Sequence, residues 1–213
     1  MLGLTKSTEF NKRIPKQKFY EKINITMELK RAFVEQIKII YWRNKISPMT
    51  TNLAKGKNVA EIEVFELKLN TKQIDENILH QIDKVIPYHI LFLLEYEGEY
   101  QAWIGYKEIT EGNIKVKQYY HTAWLNVESL PCGLEGFDMD NVYENFVRQI
   151  AGDELALKDT ADLKEDIEKA QEKKKIEKQI NILQVKIRKE KQFNKKVELN
   201  NELRKLKKEY DKI

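Results

Sequence analysis

Glu66-Leu67-Lys68 is the sharpest candidate in the chain for a reaction centre. Residues two apart on a β-strand point to the same face, so the carboxylate and the ammonium would stand side by side. Nucleases of the PD-(D/E)xK class use this spacing: the carboxylate holds Mg2+ and the lysine orients the attacking water. Glu63 could add a second oxygen ligand. In such nucleases, however, the E-x-K strand follows a hairpin strand bearing an acidic residue. Here E-x-K falls on the first expected strand, after a helix, and the preceding TTNLAKGKNVA has no carboxylate before Glu61. In a chain with 34% charged residues, a solvated strand face explains the tripeptide more economically. Mg2+ is implied only by the nuclease alternative; otherwise no cofactor is expected.

The other chemistry-bearing residues are sparse. His80, His89 and His121 are the three histidines. They lack metal-ligand spacing and have no cysteine pattern beside them, so they read as structural. Cys132, the single cysteine, cannot form an intrachain disulfide; it reads as a buried or half-buried thiol in a loop, and a reducing cytoplasm is the expected compartment. LAKGKN lacks the two glycines and Lys-Ser/Thr ending of a phosphate loop. Arg31, Lys38, Arg43 and Lys45 lie near Tyr41 and Trp42, a basic-aromatic mixture that could clamp a nucleic acid, though an amphipathic helix explains the same residues.

These residues need elements to hold them. Residues 26–46 show helical spacing through Leu29, Phe33, Ile37, Ile40 and Tyr41, with Thr26 as N-cap and Pro48 as terminator. VAEIEVFELKLN reads as a strand with a slip near Phe65, and residues 71–86 as a helix capped by Thr71. Two strands flank Glu97-Gly98-Glu99, the first apolar enough to be central in a sheet. A third strand follows the Gly112-Asn113 turn. A helix with Asp138 as N-cap ends near Gly152. The order is α-β-α-β-β-β-α, an α+β head over residues 1–154.

Residues 155–213 differ. From Lys158 on there are 18 Lys/Arg against 12 Asp/Glu, leaving 20 against 22 before it. The basic pI near 8.8 therefore comes from the tail, and the head is not a globally basic nucleic-acid-binding domain. Leu163, Ile167 and Ala170, then Ile176, Ile180, Leu183 and Ile187, then Leu199, Leu203, Leu206 and Tyr210 follow coiled-coil spacing. The phase slips after Ile187, which predicts a helical hairpin with its corner at Gln192–Lys195 and Phe193 packed over it, or else one bent helix. An apolar seam must be covered, so Phe193, Leu199, Leu203, Leu206 and Tyr210 are the candidate partner-binding residues. No signal-peptide core and no apolar run of membrane length is apparent.

NKRIPKQKFYE, EIEVFELKL, IDKVIPYHILFLLEYEGEYQAWIGYKE and KEKQFNKKVELNNELRKLK together resemble an uncharacterised prokaryotic family, the domain of unknown function numbered forty-three ninety-one. The resemblance spans nearly the whole chain. It implies a genomic setting beside helicase and DNA-methyltransferase genes of restriction-like defence loci, and carries no catalytic residue. The resulting expectation is a cytoplasmic, non-catalytic adaptor of an antiviral-defence or DNA-modification complex. Its tail would dock on a helicase, a methyltransferase or a second copy of itself, with nucleic-acid contact secondary and no membrane involved.

Overall fold

Ile37 and Ile40 both face the interior with no exposed surface, yet they lie on a strand, not on a helix. Helix α2 spans Met27–Gln36 and is followed directly by strand β2, Ile37–Ile46. The expected helix over 26–46 is corrected at its midpoint. The run Ile37–Trp42 is rich in β-branched and aromatic side chains, which favour a pleated surface. A register shift lies between Ile37 and Ile39, opposite Leu69 and Lys68. The extra residue of such a bulge lets Ile37 and Ile40, three apart, face the same side. That spacing mimics a helix. Thr26 does cap α2, accepting from the backbone N–H of Leu29 at 3.2 Å.

The computed structural model describes residues 2–20, 25–110, 113–155 and 162–213. The chain divides into two compact units, Met1–Gly152 and Asp153–Ile213. In the first, β1 (Glu9–Ile14), β2, β3 (Ile62–Leu69), β4 (His89–Tyr96), β5 (Glu99–Thr110) and β6 (Asn113–His121) form one sheet in chain order. Every neighbouring pair is antiparallel except β3 and β4. Helix α3 (Glu76–Val85) makes the crossover that a parallel pair requires. Its cap is Asp75, which accepts from Asn77 N–H at 2.9 Å, correcting Thr71. The expected order omitted β1, the short α1 (Gln17–Tyr20) and β2. The Gly112-Asn113 turn falls partly outside the described residues.

One face of the sheet carries Phe33 of α2, Ile78, Leu79 and Ile82 of α3, and Phe65, Leu67, Phe92 and Leu94 of the central strands in one apolar cluster. Helix α4 (Met139–Ala151) packs on β5 and β6. Asp138 caps it, accepting from Asn141 N–H at 2.8 Å, and Gly152 ends it with φ 51°, a left-handed conformation that suits glycine.

The second unit contains α5 (Leu163–Lys189) and α6 (Phe193–Tyr210), paired as a helical hairpin. Ile176 and Leu183 are buried, and Ile180, Ile187, Leu199, Leu203, Leu206 and Tyr210 are half-buried. The corner lies at Glu190–Gln192, slightly before the expected Gln192–Lys195. No glycine is needed there: the Glu190 carboxylate accepts from Lys191 and Gln192 N–H, both at 2.8 Å. These bonds hold its pKa below the usual carboxylate range. Phe193 does not pack over the corner; it is 78% exposed. Among the described residues no helix is long and apolar enough to cross a membrane.

Candidate functional site

Alternation along β3 puts Glu66 and Lys68 on one face and Glu63 with Phe65 on the other. Cross-strand partners agree: Glu66 pairs with Leu93 and Lys68 with Glu95, while Glu63 pairs with Ile90. Glu63 therefore cannot join Glu66 as a ligand to one metal.

Strand β3 does follow an antiparallel strand, as E-x-K nucleases require, but β2, IKIIYWRNKI, carries no carboxylate. A register shift between Trp42 and Asn44 frees Arg43 to reach Glu66. The Glu66 side chain is 1% exposed and ion-paired with Arg43 through the same carboxylate oxygen, Oε2, from both Nε and a terminal nitrogen. Tyr100 O–H donates weakly to the other oxygen at 3.4 Å, and burial pushes that phenol up to about 12. The Arg43 guanidinium also lies 4.3 Å from the Tyr41 ring centroid. Lys68 is engaged by Glu95 at 3.4 Å. Among the described residues no group of three His, Cys, Asp or Glu could hold a metal ion. The residues present do not fit a catalytic Mg2+.

The other candidates are accounted for locally. Arg31 pairs with Glu35 at 2.7 Å and Lys45 with Glu61 at 2.7 Å, so with Arg43 three of the four basic candidates already face carboxylates. Lys38 is exposed on β2. Cys132 is buried, and burial pushes its thiol up to about 12, the opposite of an activated nucleophile. At the end of LAKGKN and just beyond it, Lys57, Asn58 and Val59 N–H all donate to the Asp140 carboxylate, at 2.8, 3.0 and 2.7 Å. It is an anion cradle filled by the chain itself.

His89 Nε2 meets the Lys107 carbonyl at 3.1 Å, while Nδ1 is buried without a partner. Burial lowers its pKa to about 4. Lys107 is buried beside Asp83. Its ammonium donates to Asp83 Oδ1 at 3.1 Å and to the carbonyls of Asp83, Ile86 and Tyr88 at 2.9, 2.7 and 2.6 Å, tying down the end of α3. Tyr119 O–H donates to Asp83 Oδ2. With its donors committed, Lys107 is a fastening, although burial lowers its pKa.

The arrangement that sequence reasoning missed lies on Glu63's face. A cavity of about 460 Å3 is lined by Glu63, Phe10, Trp42, Phe65 and Tyr88, with Lys12, Arg13 and Lys18 from β1 and α1 at its edge. Glu63 is 1% exposed, its carboxyl group closed off from solvent beside the Glu61 carboxyl group and the Trp42 indole. Burial first, then the neighbouring Glu61 carboxyl, raise its pKa to about 8.

A family profile, "Domain of unknown function (DUF4391)", matches residues 2–209. The chain belongs to this family. Comparisons with curated proteins and with solved structures return no match. The DUF4391 assignment carries no activity, so the function of this DUF4391 chain has to be argued from its own side chains.

Proposed function

We propose that this protein is a non-catalytic adaptor that docks on another protein through its C-terminal hairpin. The observation that carries the reading is a set of exposed apolar side chains outside the hairpin seam, a pair on each helix. Ile182 and Val185 on α5 are 47% and 49% exposed, and Phe193 and Val197 on α6 are 78% and 43% exposed. Lys174, Lys178 and Lys186, with a single carboxylate, Glu177, among them, flank the α5 part. Apolar side chains framed by lysines suit a partner with an apolar groove rimmed by carboxylates. The implied setting beside helicase and methyltransferase genes makes such a subunit of a prokaryotic defence or DNA-modification complex the proposed partner, with a second copy of this chain as the competing occupant.

The nuclease alternative is disfavoured because Arg43 occupies Glu66 and β2 supplies no carboxylate. Two experiments test the reading. Full-length protein and Phe193→Asp with Val185→Asp are compared in pull-downs against the candidate subunits and by light scattering. Loss of one subunit in the variant supports docking; equal recovery, or loss of self-association alone, rejects the adaptor reading in this form. Plasmid incubated with protein and Mg2+ or Mn2+ should remain intact, and cleavage abolished by Lys68→Ala would establish the nuclease instead.

A further inference from the structure

The cavity beside β1 is apolar inside and cationic at its mouth. Its walls come from Phe10 and Ile14 of β1, Phe19 of α1, Trp42 of β2, Phe65 of β3 and Ile86 just after α3. Glu63 lines it without offering an oxygen, because its carboxyl group is closed off. The Trp42 indole N–H is engaged as well, donating to the Asn44 carbonyl at 3.1 Å. The interior therefore suits an apolar body. Phe10 and Trp42 have ring centroids 4.2 Å apart and planes at 43°, and Trp42 meets Phe65 at 6.0 Å and 67°. Neither pair is parallel, so these rings bound a rounded hollow and not a slot for a flat ring system. Its volume of about 460 Å3 lies in the range of small-ligand pockets.

The mouth differs in charge from the surface around it. Lys12, Arg13 and Lys18 are exposed there, and none of the three meets a carboxylate among the described residues. An irregularity in β1 presents the first of them. The register shifts between Glu9 and Lys12, Asn11 has φ 48°, a left-handed conformation asparagine tolerates, and Lys12 Nζ lies 4.1 Å from the Phe10 ring centroid. Past Arg13 a second groove carries Lys16 and Lys38 and no carboxylate. The first 157 residues hold 20 Lys/Arg against 22 Asp/Glu, so this positive mouth is not the product of a generally basic surface. A cationic ligand would be repelled here, and a neutral one would leave the lysines and the arginine unused. An apolar body ending in one anionic group matches both parts.

We propose that this cavity binds a small amphipathic anion. Its apolar body lies against Phe10, Phe19 and Trp42, and its carboxylate or phosphate head meets Lys12, Arg13 and Lys18. Burial of the body supplies affinity, while the cations select the sign of the head. Arg13 can grip either head with two parallel N–H donors. The inference is independent of docking by the hairpin.

Titration calorimetry with four ligands sharing a decyl chain tests this: decanoate, decyl phosphate, decanol and decylammonium, each kept below its micelle concentration. Wild-type protein should bind the two anions at least about tenfold more tightly than the alcohol or the ammonium. Tighter binding of decanoate would identify a free carboxylic acid as the ligand type; tighter binding of decyl phosphate would identify a phosphate-bearing one. Lys12→Ala with Arg13→Ala should weaken both anions about fivefold or more and leave the alcohol unchanged, and the difference should shrink as salt is raised. Val85 also lines the cavity, so Val85→Trp should fill the hollow and abolish binding of all four. If that variant does not fold, the change at Lys12 and Arg13 still decides. Val185→Asp with Phe193→Asp, in the hairpin, should bind as wild type does. Equal binding of the four ligands, no binding of either anion, anion affinity unchanged by Lys12→Ala with Arg13→Ala, or loss of binding in the hairpin variant would overturn the proposal.

Discussion

Arg43 and Glu66 sit on adjacent antiparallel strands, and the guanidinium takes the carboxylate that an E-x-K reaction centre would need for metal. Glu66 is almost wholly buried, while the Arg43 side chain is 26% exposed. Removing one partner of a buried pair leaves an uncompensated charge. Arg43→Ala should therefore destabilise the protein by about 3–5 kcal/mol, read from denaturant midpoints. Arg43→Met with Glu66→Leu removes both charges together and should recover most of that loss. If Arg43→Ala is neutral and instead creates Mg2+-dependent cleavage, the pair is a removable latch on an active site.

Glu63 gives stability a pH dependence of definite sign. Its pKa is raised in the folded protein to about 8 from the ordinary carboxyl value of 4.5. Between these values the unfolded chain releases a proton that the folded chain retains, so stability falls as pH rises through this window. The slope for one proton reaches about 1.4 kcal/mol per pH unit. Glu63→Gln should remove this contribution, gaining on wild type steadily from pH 5 to pH 8 in urea melts. Parallel curves for the two proteins would show that Glu63 is ionised in the fold.

His89 acts in the opposite direction. Its pKa is lowered from 6.5 to about 4 because burial disfavours the charged ring, and Lys107 adds repulsion while Asp140 partly offsets it. Below about pH 6.5 the unfolded chain takes up a proton that the folded chain refuses, so stability is lost as pH falls toward 4. His89→Gln retains a donor for the Lys107 carbonyl and should flatten the acid limb. An unchanged acid limb would mean that carboxylates dominate it.

Much of this architecture was legible in the sequence, and its failures share a cause. Strand β3, the paired strands around Gly98 and the capped helix after Asp138 announce themselves through local pattern and turn chemistry. Strand β2 does not, because its bulge converts period two into an apparent spacing of three. With Trp42 assigned to a helix and β1 unrecognised, nothing in the sequence could place Phe10, Trp42 and Glu63 around one cavity. Nor could local reading pair Arg43 with Glu66, since the contact depends on a second bulge. The hairpin corner was found to within a few residues despite the missing glycine. Glu190, whose carboxylate substitutes for it there, is in the sequence one more charged residue just past the phase slip.

The hairpin itself should be held by its leucine seam and not by its many charges. Leu203 and Leu206 are half-buried in α6, so truncation of each to alanine should cost toward the low end of the usual range, about 2 kcal/mol. Lys207 and Lys208 are exposed, and a surface ion pair contributes about 0–1 kcal/mol. Leu203→Ala with Leu206→Ala should accelerate amide hydrogen exchange throughout α6 while protection in β3 and β4 is retained. Lys207→Glu with Lys208→Glu should leave exchange in both places nearly unchanged. Ile182, Val185 and Phe193 lie outside the seam, so aspartate at Val185 and Phe193 should abolish partner capture without loosening α6. That contrast separates docking from folding. If the lysine reversals abolish capture and the apolar variants do not, the tail works by electrostatic contact and the exposed apolar side chains are not its docking surface.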